Sequence, residues 1–180
     1  MNERLIRTTE AEVNRLHAAC RQAASERKSS PLKQEHWLRA CHRIHSYSSP
    51  LWELRTPEVQ RDIVAGSGYW RKAALLYLDL SPRFFRSGYL RDMVCHRLKQ
   101  ASLQSDECRR VQRSLLASIV RRPPTGCFVY DCRLAIKIAD ESFAVEMRRL
   151  AESEDPWTRG RAVRMLAWIL RHQGSSQTLT

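Results

Sequence analysis

Strand signals are the first thing missing from these 180 residues. No run alternates with period two for long, and no Asn-Gly or Asp-Gly pair is present to close a hairpin. That argues against a sheet-based fold. Long hydrophobic runs are missing too: the longest, Ala73 to Leu78, is far too short to span a bilayer. The opening residues include Glu3, Arg4, Arg7, Glu10 and Glu12, so no secretory leader is expected. Six cysteines (Cys20, Cys41, Cys95, Cys108, Cys127, Cys132) are scattered without a Cys-x-x-Cys pair. Without a leader, they predict reduced thiols in a cytoplasmic protein. Catalytic signatures are also absent: no Gly-rich phosphate loop, no Gly-x-Ser-x-Gly elbow, no His-Glu-x-x-His. Cys95 and His96 are neighbours, so a helix turns them about 100° apart and they cannot act as a nucleophile–base pair.

Acid is the scarce charge. Nineteen Asp and Glu face 31 Lys and Arg, a formal net charge of +12, and 26 of those 31 are Arg. A chain so basic is attracted to nucleic acid, acidic proteins or anionic lipid heads. Genomic base composition is the competing source of an Arg excess, with most side chains simply solvated.

What is present is helical periodicity. Residues 1–7 read as a short, flexible basic lead. From about Thr8 to Lys28, Val13, Leu16, Cys20 and Ala23 share a face, with Thr9 and Glu12 as a capping box. Ser29-Ser30-Pro31 is a turn, and Pro31 to Ser46 is the next helix, with Trp37, Leu38, Cys41 and Ile44 inward. A short helix follows Thr56-Pro57 and ends at Gly66-Ser67-Gly68, where glycine suits a left-handed cap. Tyr69 to Leu80 predicts a central buried helix. Ser81-Pro82 predicts the start of another, with Phe85, Tyr89, Met93 and Val94 near one face. Further helices are expected from Ser105, with Val111, Leu115 and Ile119, and from Phe128 to Ile138. Pro123-Pro124-Thr125-Gly126 is the clearest breaker between them. Gly174 to Thr180 reads as a polar, flexible tail. The expectation is a single all-α domain over 1–180, an irregular stack of antiparallel helix hairpins forming a short α-solenoid. A non-repeating helical bundle is the alternative.

The most informative stretch is Glu154 to Leu170. Asp155-Pro156 starts a helix well, because proline lacks an N–H that the first turn leaves unpaired anyway. Ala162, Val163, Leu166, Ala167, Ile169 and Leu170 cover one arc, predicted to be buried. Trp157, Arg161, Arg164, Trp168 and Arg171 recur at steps of four and three on the opposite side. Arg159 points into the apolar arc and needs an acceptor, which the acidic turn before it supplies. A preceding helix over Ser142 to Glu152 carries Phe143, Val145, Met147, Leu150 and Ala151.

This pair, residues 141–171, resembles a HEAT repeat: a helix, a short turn with Asp and Pro, then a helix with an early Arg followed by small or aliphatic residues. Thr158 stands where the family usually has Val. The resemblance implies a HEAT-like architecture and no particular activity. Helical-repeat DNA-alkylation glycosylases share a Trp-x-Arg element like Trp157-Thr158-Arg159. No Trp–Asp pairing upstream matches theirs, and Tyr130-Asp131 is a poor substitute, so no catalytic residue carries over.

The stripe Trp157, Arg161, Arg164, Trp168 and Arg171 is the sharpest candidate surface. Guanidinium groups fork onto phosphate or carboxylate, and exposed indoles stack on bases or anchor a partner. Arg109 and Arg113 would extend it if stacking sets their helix beside the last one, as would Arg83, Arg86, Arg91, Arg97, Arg110, Arg121 and Arg122. The competing reading buries the two Trp under a neighbouring helix. Acids from Asp140 to Asp155 read as helix-start and ion-pair residues. In an antiparallel hairpin turning near Ser30, His17 matches His45 in height and Cys20 matches Cys41, a zinc-like donor set; small core cysteines are the preferred reading.

The function this predicts is a non-catalytic binding module for an acidic partner, nucleic-acid backbone narrowly ahead of an acidic protein. It needs no metal or small-molecule cofactor and no membrane. A protein–protein scaffold is the alternative; excision of a DNA base is a lesser one.

Overall fold

Polar residues start most of the helices. Asn2 caps α1 (Glu3–Glu26) through Leu5 N–H, and Ser30 caps α2 (Pro31–Ser46) through Lys33 N–H. Ser49 opens a short 3-10 helix (Pro50–Arg55), and Thr56 caps α3 (Pro57–Ala65). Three of these helices place proline in their first turn, where its missing N–H costs nothing. Next come α4 (Gly68–Leu80) and α5 (Ser87–Gln100). A reciprocal capping box of Gln104 and Glu107 starts α6 (Ser105–Val120). The last three are α7 (Phe128–Ile138), α8 (Glu141–Ala151, capped by Asp140) and α9 (Pro156–Ser176).

The computed structural model describes residues 1–66, 68–122 and 126–176, those from 173 onward by backbone alone. The protein is all-α: no strand occurs among the described residues, and none of their helices is long and apolar enough to cross a membrane. The breaker Pro123-Pro124-Thr125, and Ser67 of the glycine turn, lie outside the described residues.

From α3 onward the helices form two layers. Helices α4, α6 and α8 pack side by side in one; α3, α5, α7 and α9 follow one another in the other. Consecutive helices α4–α5, α6–α7 and α8–α9 pack across the layers, so every second helix is a neighbour within its layer. That is the connectivity of stacked hairpins. The core runs between the layers through Leu75, Leu78, Val94, Leu115, Ile119 and Leu134, and on to Phe143, Met147 and Met165. The α1–α2 hairpin lies at the N-terminal end. Helix α2 packs chiefly on α1 and buries only Ala40 fully.

A buried arginine ties down one end of α3. Gly66 ends that helix at φ +88°, as the sequence predicts for a left-handed cap. Arg71 of α4 then donates to the carbonyl oxygens of Ile63 and Val64, which the helix end leaves unpaired, and to Ser102 O at 2.6 Å. Its charge is matched by Glu107 at 3.3 Å.

Several expectations need correction. The first seven residues are not a loose lead. Helix α1 begins at Glu3, Ile6 is fully buried, and the terminal amine bonds the Tyr69 hydroxyl. Thr9 is therefore mid-helix rather than a cap, and its hydroxyl meets that of Ser49 at 2.7 Å. Leu38 of α2 is exposed, since α2 meets the rest of the chain along a single narrow face. Helix α5 starts at Ser87, not Ser81: Ser81 and Arg86 both adopt positive φ, which breaks any helix there. Val163 and Leu170 of α9 are exposed rather than buried. Helix α9 continues through Ser176, so residues 174–176 belong to it, while 177–180 lie outside the described residues.

Candidate functional site

The sequence-marked stripe on α9 does not face solvent as a unit. Arg161 turns inward: its side chain is 12% exposed, with the guanidinium 3.9 Å from the Phe128 ring centroid and 3.9 Å from Asp131. Trp157 is half-buried between two guanidinium groups, Arg122 at 5.5 Å and Arg161 at 5.4 Å. Trp168 is half-buried and stacks on His172. Arg164 and Arg171 are exposed. Arg159 is also exposed, against expectation, but its acceptors do come from the acidic turn: the carbonyl oxygens of Ser153 and Glu154.

Arg161 turns inward because Asp131 is there. Asp131, in the first turn of α7, is 2% exposed and lies between α5 and α9. Its carboxylate accepts from Arg91 Nη2 at 3.0 Å and from the Ser118 hydroxyl at 3.1 Å. The Cys95 thiol donates to it weakly at 3.6 Å. Arg91 is itself 1% exposed. The row Arg91–Asp131–Arg161 thus fastens three successive helices of one layer. Burial and the neighbouring Asp131 carboxylate push the Cys95 thiol up, despite the opposing pull of Arg91. Burial likewise pushes Cys132 up to about 12. His96, whose pKa burial lowers, stands against Tyr130 and Gln100 rather than beside the Cys95 thiol.

Arg109 and Arg113 are exposed along a groove of about 440 Å³ between α6 and α8, with Leu116, Phe143 and Val145 as its apolar wall. No residue of α9 lines that groove, so the structure does not join Arg109 and Arg113 to the α9 stripe. Other arginines are held by the fold. Arg110 pairs with Asp79, Arg122 with Asp155, and Arg97 donates to Gln60. Arg83 and Arg121 donate to the backbone oxygens of Arg122 and Ser81.

The α1–α2 hairpin sets Cys20 against Cys41, Sγ to Sγ 3.2 Å, at the height the antiparallel pairing predicts. The histidines do not join them. His17 stacks on Phe85, ring centroids 5.0 Å apart, and His45 turns into a cavity. Among the described residues no three His, Cys, Asp or Glu side chains stand together as a metal site.

That cavity, about 570 Å³, lies at the junction of the hairpin, the 3-10 helix and α5. Its size suits a small molecule or one residue of a larger ligand. Tyr47, Trp52, Phe85 and Tyr89 supply aromatic walls, and Val13, Ile44, Leu90 and Met93 the apolar remainder. Arg55, Arg86 and His45 bring the only ionisable nitrogen groups, and no carboxylate belongs to the described lining. Trp52 is fixed: its indole N–H donates to Tyr47 O at 3.4 Å and its edge meets Phe84. Gln60 is also fixed, since its amide bonds Arg55 O and Arg97 Nε.

Sequence reasoning passed over this cavity. Phe85 and Tyr89 are expected near one helix face with Met93 and Val94; instead Phe85 precedes α5, and Phe85 (39%) and Tyr89 (77%) are exposed while Val94 is buried. The available signal was density: eight of the chain's 14 Phe, Trp and Tyr rings lie in the 43 residues from Tyr47 to Tyr89, five of them (Tyr47, Trp52, Phe84, Phe85, Tyr89) beside two breaks. Comparisons with family models, with curated proteins and with solved structures find no match.

Proposed function

We propose that this chain is a non-catalytic, HEAT-like helical module that binds an acidic partner, with the phosphate backbone of nucleic acid favoured over an acidic protein. One observation carries the reading: the acids that hold the helices to one another are each taken up by an arginine, and further exposed arginines are left over. Asp79, Asp131, Asp155 and Glu107 are spent on Arg110, on Arg91 with Arg161, on Arg122 and on Arg71. Arg55, Arg109, Arg113 and Arg164 are exposed and, among the described residues, make no ion pair. Guanidinium groups left in this state suit phosphate, which they grip bidentately. The raised thiols of Cys20, Cys95, Cys108 and Cys132 favour a module without a cysteine nucleophile. Burial of Asp131 under Arg91 speaks against base excision at that residue.

The scaffold reading has its own support. Leu32 and Leu38 on α2, and Val145, Val163 and Leu170 on α8 and α9, are large apolar side chains left in water. A salt series separates the two. Contact with about four to six phosphates gives log affinity against log salt a slope near −4 to −5 on duplex DNA. Fluorescence anisotropy of labelled duplex, single strand and RNA measures it. Absence of submicromolar binding to all three at physiological salt would overturn the nucleic-acid reading in favour of the scaffold.

A further inference from the structure

We propose that the cavity beside α5 is a nucleotide site: it takes one unpaired nucleotide, the base against its aromatic walls and the phosphate on Arg55 and Arg86. The inference rests on the nucleic-acid reading above and narrows it to unpaired strands.

Three features select this ligand. The first is ring surface without a ring partner. Among the described residues Tyr47, Tyr89 and His45 make no ring contact, and Tyr89 is 77% exposed on the first turn of α5. A fold gains nothing from such a ring, whereas a base gains a stacking partner. The second is charge. Two guanidinium groups without a carboxylate repel a metal cation or an amine and attract a phosphate. An acid lacking a ring would leave the aromatic walls unused, and an apolar ring lacking an acid would leave the arginines unused. The third is placement. Arg86, at the cap position of α5, and Tyr89, in its first turn, both line the cavity, so charge and open ring share one rim.

Arg86 carries a further mark. It sits at φ +69°, a left-handed backbone uncommon for a side chain of this size. Its guanidinium lies 5.0 Å from the Phe85 ring centroid, and Phe85 is backed by His17. The fold does not need arginine there; glycine adopts that backbone without strain. Strain kept at a cavity rim fits a side chain retained for its ligand. Selectivity among bases is expected to be slight. Both ends of the Gln60 amide are already bonded within the protein, so it reads no base edge.

A duplex offers no base face, so strand and duplex must separate. The test uses the full chain with an oligo-dT strand, a duplex of equal length and adenosine 5′-monophosphate, at physiological salt, following tryptophan fluorescence and anisotropy. Tyr89→Ala is expected to weaken strand binding by roughly five- to hundredfold and leave duplex binding unchanged. Arg86→Gly is expected to melt no lower than the parent yet bind the strand more weakly, a pairing that a merely structural arginine does not produce. Equal effects of Tyr89→Ala on strand and duplex, or none on either, overturn the nucleotide site and leave the backbone reading intact. Tyr89-dependent binding of the mononucleotide without strand or duplex binding overturns the backbone reading and supports a site for free nucleotides. Binding of none of the three overturns both.

Discussion

A buried carboxylate between two arginines decides how this chain responds to single substitutions. Asp131 and Arg91 are both almost fully out of water, so each depends on the other for compensation of its charge. Asp131→Asn keeps the shape and leaves Arg91 with no counter-charge at 3.0 Å. Breaking one partner of a buried pair typically costs about 3–5 kcal/mol, and urea denaturation of Asp131→Asn is expected to register a loss of that order. A loss under about 1 kcal/mol would mean that Arg91 finds another acceptor. Arg159→Ala is the contrasting control. Its partners are exposed backbone oxygens, so it is expected to cost far less. The sequence pointed to Arg159 as the inward arginine and to Arg161 as a surface one. Helical periodicity finds the apolar arc but cannot reveal that a neighbouring helix presents Asp131 and Phe128 to the other side. The partner lies 30 residues away in sequence, and only stacking brings it close.

Helix starts are the features the sequence announces best, because their chemistry is local. Ser30-Pro31, Thr56-Pro57, Asp140 and Asp155-Pro156 all begin helices where capping rules place them. Ser81-Pro82 carries the same signature and fails. There Tyr77, buried in α4, donates its hydroxyl to Ser87 O, and the Ser87 hydroxyl accepts from Phe84 N–H. These bonds settle the chain into a turn before α5, and with it the cavity walls, which local signals cannot foresee. The caps also predict an acid response. Phe143 N–H, Gln112 and Ser142 hold the Asp140 carboxyl down to about 2; Thr158 and Arg122 do the same for Asp155. An unfolded aspartate titrates near about 4. A depressed folded value means that both caps lend stability above roughly pH 4 and lose it as pH falls toward 2. Asparagine caps a helix without titrating in this range. The double variant Asp140→Asn, Asp155→Asn is therefore expected to melt with a flatter pH dependence between about pH 4 and 2. An unchanged acid limb would show that other carboxylates govern it.

For the whole molecule the dominant number is +12, and it sets local attraction against global repulsion. Most ion pairs here are exposed ones such as Arg15 with Glu12 or Arg39 with Glu35. Pairs of that kind contribute about 0–1 kcal/mol each, and salt weakens them. The surplus of arginines works the other way. Burial, together with Arg83, Arg91 and Arg7, lowers the pKa of Arg121, with Glu10 opposing. Such crowding is self-repulsion, and added salt relieves it. The buried pair Arg91–Asp131 is screened much less and stays nearly constant. Because surface pairs contribute little and the uncompensated charge is large, the melting temperature is expected to rise from low to physiological sodium chloride. A polyanion that binds only the folded state adds a second, saturable rise at constant ionic strength. Sodium tripolyphosphate supplies that arm in a thermal melt followed by circular dichroism. A melting temperature that falls with sodium chloride would mean that local pairs outweigh the net charge. A rise with chloride and none beyond it with tripolyphosphate would mean that the excess arginines repel one another without forming a place for phosphate.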